Sequence, residues 1–195
     1  MAKIGFEYIV AGALDTDNSV SAATAAYTNT REIGPGANVN GSPTSSDVKD
    51  YGDDRVVATD VSVTGGTLSL ELNEPSLENE AWILGHSVDA DGAILRNTND
   101  IPPYVGIGFV GKSRKLDNTT AYRAKIYLKA QFKEPSDENA TKQDSVSFSH
   151  TTMEGNLFQL ENGDWKLDKV FETLAEAKAY VDEILCMSAA EAETE

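Results

Sequence analysis

From Tyr122 to Lys133, apolar and polar residues alternate without a break. Tyr122, Ala124, Ile126, Leu128, Ala130 and Phe132 fall on one parity; Arg123, Lys125, Tyr127, Lys129, Gln131 and Lys133 fall on the other. Successive strand side chains point to opposite faces, so this run predicts a strand with one buried and one wet face. At about 3.3 Å per residue it would span roughly 40 Å, longer than a domain of this size needs for its own core. Lys3–Leu14 predicts an opening strand. Val56–Val63 and Thr67–Leu72 alternate on either side of Gly65-Gly66, a pair that tolerates the positive φ of a tight turn, so a hairpin is expected there. Pro102-Pro103-Tyr104 opens a strand through Val110, and Gly106 and Gly108 leave one of its faces bare, which predicts close packing by another group. Asp144–Thr151 alternates again, with Val146 and Phe148 inward. Leu157–Leu160 and Trp165–Val170 flank Asn162-Gly163, a strong hairpin signal.

Two short segments change period. Ser76 can cap a helix over Leu77–Leu84 with Gly85 as its stop. Thr173 and Glu176 form a capping box for a second helix, with Leu174, Ala177, Val181 and Ile184 along one face. Between Asp15 and Asp54 periodicity is lost: small and polar residues dominate, with Gly34-Pro35-Gly36 and Ser42-Pro43 as breakers. This segment reads as a long loop near the N-terminus, either floppy or an arm that orders against a neighbouring subunit, with Val39, Val48 and Tyr51 as its anchors. The expected fold is mainly β, one domain over residues 1–187 with two helices, followed by a mobile acidic tail at 188–195.

Composition narrows the function by exclusion. A formal net charge of −16 over 195 residues disfavours binding to nucleic acid or an anionic membrane, because counterion release needs many cations. The single cysteine, Cys186, rules out an internal disulfide and fits a reducing compartment. Ile9–Leu14 is too short and too closely flanked by Glu7 and Asp15 for a signal peptide. No run approaches the ~20 apolar residues of a membrane helix, so a soluble, intracellularly made chain is expected.

Asp89-Ala90-Asp91-Gly92 begins like a calcium loop. However, Ala93 stands where the third ligand belongs and Ile94 where the loop needs glycine. The two histidines, His86 and His150, lack a nucleophile motif, and neither a dinucleotide nor a phosphate-binding glycine loop is present. The expectation is a protein without catalytic residues, metal or cofactor. The charge distribution is more informative: seven of the 16 basic residues and one acid lie between Lys112 and Lys133, a net +6, which leaves −22 for the remainder. The basic strand face is either a solvated surface whose lysines blunt edge pairing, or a surface meeting the acidic face of an identical neighbour.

Taken in order, several features resemble one family. They are the Gly65-Gly66 pair, the helix ending Leu84-Gly85, the Asp89–Gly92 turn, PPYVGIGF at 102–109, YRAKIYLKAQFKEPS at 122–136, Thr141-Lys142 and TTMEGNLF at 151–158. Over about residues 3–185 the chain resembles the major tail proteins of long, non-contractile-tailed bacteriophages, particularly those of Gram-positive hosts. The resemblance implies a β-sandwich or barrel with a flanking helix, forming rings, hexameric in the family, that stack into the tube through which DNA leaves the capsid. It implies further that the chain is made in the host cytoplasm and ends in the virion. Its partners would be itself, a tape-measure protein and tail-end proteins, with DNA passing through the lumen unbound. On that basis Arg123, Lys125, Lys129 and Lys133 are expected at subunit or ring contacts, with Tyr104, Val39, Val48 and Tyr51 as further self-assembly candidates. The competing reading is a capsid decoration or sugar-binding, adhesive β-sandwich, against which the low aromatic fraction of 8% counts.

Overall fold

The computed structural model describes residues 2–17, 25–53, 55–73, 75–136 and 150–186. Ten strands and two helices follow in order: β1 (Ala2–Thr16), β2 (Ala26–Glu32), β3 (Gly36–Gly52), β4 (Arg55–Leu72), α1 (Leu77–Leu84), β5 (Ser87–Val88), β6 (Ile94–Leu95), β7 (Val105–Arg114), β8 (Thr120–Phe132), β9 (Thr151–Leu157), β10 (Lys166–Phe171) and α2 (Leu174–Ile184). The chain is mainly β, as its alternation predicts. One antiparallel sheet runs β2-β1-β7-β8-β9-β4-β3, with β10 added to β8. Strands β5 and β6 form a separate small hairpin around the expected Asp89–Gly92 turn.

Two apolar clusters hold the fold. In the first, Ile9, Ile107, Tyr127 and Phe132 meet Leu68, Leu70, Leu72 and Met153 across the folded sheet, joined by Ile83 and Leu84 of α1. In the second, Ala177, Val181, Ile184 and Leu185 of the α2 region cover Val10, Val110, Ala124, Ile126 and Leu128 on the opposite face. Strands β1, β7 and β8 are thus buried on both faces, which is why no one parity of β8 is uniformly wet: Tyr127 is buried among core residues.

The glycines of β7 fulfil their expectation. A Cβ at Gly106 would lie 2.5 Å from the Tyr27 ring, and one at Gly108 would lie 2.5 Å from Val181 Cγ1. The bare strip receives Tyr27 and α2, and the Tyr27 hydroxyl donates to the Leu128 carbonyl at 2.8 Å. Helix α2 starts as its capping residues predict, the Glu176 amide donating to Thr173 Oγ1 at 3.3 Å. Helix α1 starts at Ser76, whose hydroxyl accepts from the Asn79 amide, and stops at Gly85 in the left-handed region.

Three expectations are corrected. Residues 15–54 are not a loop: they contain β2 and β3, whose polar residues satisfy their backbone through ladder bonds rather than through an apolar face. Gly65-Gly66 does not turn the chain. Both lie inside β4, where a Cβ at Gly66 would meet the Ser42 carbonyl oxygen at 2.6 Å, so this glycine permits close approach of β3. The turn comes instead after Gly52, with Asp53 in the left-handed region at φ 51°. Asn162-Gly163 does make a tight turn, closed by the Leu160 amide on the Asp164 carbonyl at 2.7 Å. Yet β9 and β10 do not pair with each other; each pairs with a different half of β8. Val146 and Phe148, most of the polar stretch 134–142 and the tail beyond Cys186 fall largely or wholly outside the described residues.

Candidate self-assembly surfaces

A one-residue bulge in β8 organises the basic strand. Register with β7 runs evenly from Arg114↔Thr120 to Ile107↔Tyr127, then slips by one before Val105↔Ala130. The extra residue turns the strand over. Ala124, Ile126 and Leu128 therefore face α2, whereas Ala130 and Phe132, of the same parity, face the sandwich core. On the first half of β8 the sandwich side belongs to Tyr127, Lys125 and Arg123.

Their cross-strand neighbours are fixed by register. Lys125 lies opposite Phe109 on β7 and Asp168 on β10; Arg123 lies opposite Gly111 and Val170. Further along, Ser113 pairs with Lys3 of β1. β9 pairs with β8 at Ala130–Phe132, and at this end of the sheet the facing layer contributes Asn38 and Val39 of β3. The result is a cavity of about 390 Å³ lined by Lys3, Arg123, Lys125, Phe6 and Phe109 and, among the described residues, by no carboxylate; the Lys125 Nζ lies 5.5 Å from the Phe109 ring centroid. Arg123 and Lys166 share Asp168 at 3.2 and 3.1 Å. Burial pulls the Lys125 ammonium below its ordinary range, and the neighbouring Lys3 and Lys166 charges add to the effect.

The other predicted cations lie apart from these two. Lys129 is half-buried, ion-paired with Asp17 and set 4.6 Å from the Tyr104 ring centroid. Tyr104 packs edge-on against Phe158 at 5.5 Å. Both thus make contacts within the chain, and Tyr104 remains 40% exposed. Lys133 is exposed just beyond β8, its amide bonded to the Glu154 carbonyl at 2.8 Å. Val39 packs partly against the first core, beside the cavity. The backbone of Tyr51 lies near the end of β3, opposite Val56.

Val48 belongs to a second surface. β4 pairs with β9 only over Gly66–Leu72, while its pairing with β3 continues outward to Gly52↔Arg55. From Ser45 and Val63 onward the hairpin is therefore two strands with no third beside them among the described residues, and Val48 and Val61 stand 61% and 64% exposed. An isolated two-stranded hairpin is at best marginally stable in water. Sequence reading missed Lys3, brought to the cavity by register from over a hundred residues away; it placed Val56–Val63 on a strand but paired it with Thr67–Leu72 instead of with β3.

His86 is no surface histidine. Its Nδ1 lies 2.7 Å from Asp100 and its Nε2 2.9 Å from Glu134, and the Asp100 hydrogen bond holds its pKa above the ordinary value against the opposing effect of burial. Arg96 completes the cluster, contacting Glu80 and Glu134 at 2.6 and 2.9 Å. Among the described residues, no group of three or more His, Cys, Asp or Glu side chains is placed to hold a metal ion, and no helix is long and apolar enough to cross a membrane. Comparison with protein-family models and with curated proteins returns no match.

Proposed function

We propose that this chain is a structural, non-enzymatic virion subunit that self-assembles into stacked rings forming the tube of a long, non-contractile phage tail, the conduit for DNA ejection. The observation that carries this reading is the β3–β4 hairpin, which runs beyond its own sheet and leaves exposed valines on unsupported strands. Such an extension gains stability only when another surface covers it. The sheet path also ends in two strands, β2 and β3, each with a free edge among the described residues. Free edges invite lateral pairing, and ring closure removes them. A net charge of −16 suits a lumen through which phosphates slide without sticking. The phage-tail resemblance supplies the ring, the stacking and the partners: copies of itself, a tape-measure protein and tail-end proteins.

Negative-stain microscopy of the concentrated, purified chain tests the reading. Hollow filaments of indefinite length are expected. Discrete oligomers at every concentration would favour the capsid-decoration or adhesive module instead.

A further inference from the structure

The basic cavity at the end of the sheet has a complement elsewhere in the same chain. Lys3 and Lys125 face it with no carboxylate in ion-pair range among the described residues, and Asp168, opposite Lys125 on β10, is already shared by Arg123 and Lys166. Lys125 is half-buried with its Nζ 5.5 Å from the Phe109 ring centroid, while Lys3 and Arg123 at the cavity rim are exposed. Such a basic rim over an apolar floor suits an anion carried next to an apolar group.

The outer hairpin offers that combination twice. Directly opposed residues of an antiparallel pair share a face. Asp47 lies opposite Val61, and Val48 opposite Asp60, so each face of the hairpin presents an exposed valine beside a carboxylate. Asp47 has only a loose, exposed contact with Lys49 at 3.5 Å. The hairpin cannot serve its own cavity. Val39 lines the cavity, and Asp47 stands eight residues further along the same strand, about 26 Å away at 3.3 Å per residue.

We propose that the cavity receives the valine–aspartate face of the β3–β4 hairpin from a second copy of the chain, the carboxylate meeting Lys3, Arg123 and Lys125 while the valine covers Phe6 and Phe109. The proposal rests on the self-assembly reading above and names the contact that carries it. Tip and cavity are different surfaces, so the contact is head-to-tail and propagates from copy to copy.

Two experiments on the full chain test it. In the first, ¹⁴N- and ¹⁵N-labelled chains are mixed at a concentration where the wild type associates, then joined with a zero-length carbodiimide. Mixed-isotope cross-links from Asp47 or Asp60 to Lys3 or Lys125 are expected. Links only within one isotope, or from these lysines only to other acids or to a co-purified protein, would overturn the contact.

In the second, one chain carries Lys3→Glu and Lys125→Glu and another carries Asp47→Lys and Asp60→Lys. Each alone should scatter about tenfold less light than the wild type, because like charges then face each other. An equimolar mixture should recover, since each tip now finds a cavity of opposite sign. Wild-type filaments with both variants assembling as well as the wild type would sink the contact while leaving the tube reading in place. The expected cross-links within discrete oligomers would do the reverse. A wild type that stays monomeric at all concentrations removes both.

Discussion

At the residue scale, single contacts join strands far apart in sequence. Tyr27 lies over the bare strip of β7 and donates to the Leu128 carbonyl at the bulge, and burial holds its phenol well above its ordinary range. Tyr27→Phe keeps the ring and strands that carbonyl, so a loss of about 1–3 kcal/mol is expected in urea unfolding. Gly108→Val would drive two methyls into Val181 and Leu185; a loss of at least about 1–3 kcal/mol is expected from overpacking, read as a lower urea midpoint with an unchanged slope. The His86 cluster gives a pH signature. Its imidazole binds a proton more tightly folded than unfolded, so its contribution is complete below the unfolded pKa, about 6.5, and is lost as pH rises through the higher folded value. Asp100, whose pKa is lowered chiefly by the same hydrogen bond, contributes above its unfolded pKa and loses that as pH falls through the lower folded value. Unfolding free energy should therefore decline from about pH 6.5 upward in the wild type, and His86→Gln should flatten that decline.

At the scale of elements, α2 and the β3–β4 hairpin behave oppositely. Helix α2 is committed to its own chain: Val181 and Leu185 pack on the glycine strip, and Thr30 Oγ1 donates to the Leu185 carbonyl at 2.5 Å. Thr173→Ala removes its N-cap and should cost about 1 kcal/mol in thermal or urea unfolding. Among the described residues, the outer hairpin pairs with no other element of the chain. Ser45 and Val63 are register partners, so residues 46–62 can be replaced by Asn-Gly, a turn suited to a two-residue connection. Stability should change by less than about 1 kcal/mol, while concentration-dependent association, followed by sedimentation, should vanish. Both helices were legible, because capping residues and a 3.6-residue period are local signals. The hairpin was not. Glycines at 65 and 66 carry the same local signature whether they reverse a chain or admit a neighbouring backbone, and only the position of β3 distinguishes the two.

At the scale of the whole molecule, a strongly acidic chain keeps a basic, aromatic-floored cavity at one end of its sheet and an extended acidic hairpin elsewhere. If these meet between copies, sedimentation should show mass rising with concentration and reaching no plateau, as head-to-tail contacts require until rings close and stack. Sequence by itself determined the mainly-β class, both helices, the opening, central and glycine-bearing strands, and the concentration of positive charge around residue 123. Those follow from side-chain period, capping chemistry and composition, all readable within a few residues. Tertiary structure alone decided that residues 15–54 hold two strands, that one bulge in β8 separates Arg123 and Lys125 from Lys129, and that Lys3 joins the first two. A one-residue slip in register reverses every side chain beyond it without disturbing the alternation. No pattern along the chain could reveal which cations end up free and which are already paired.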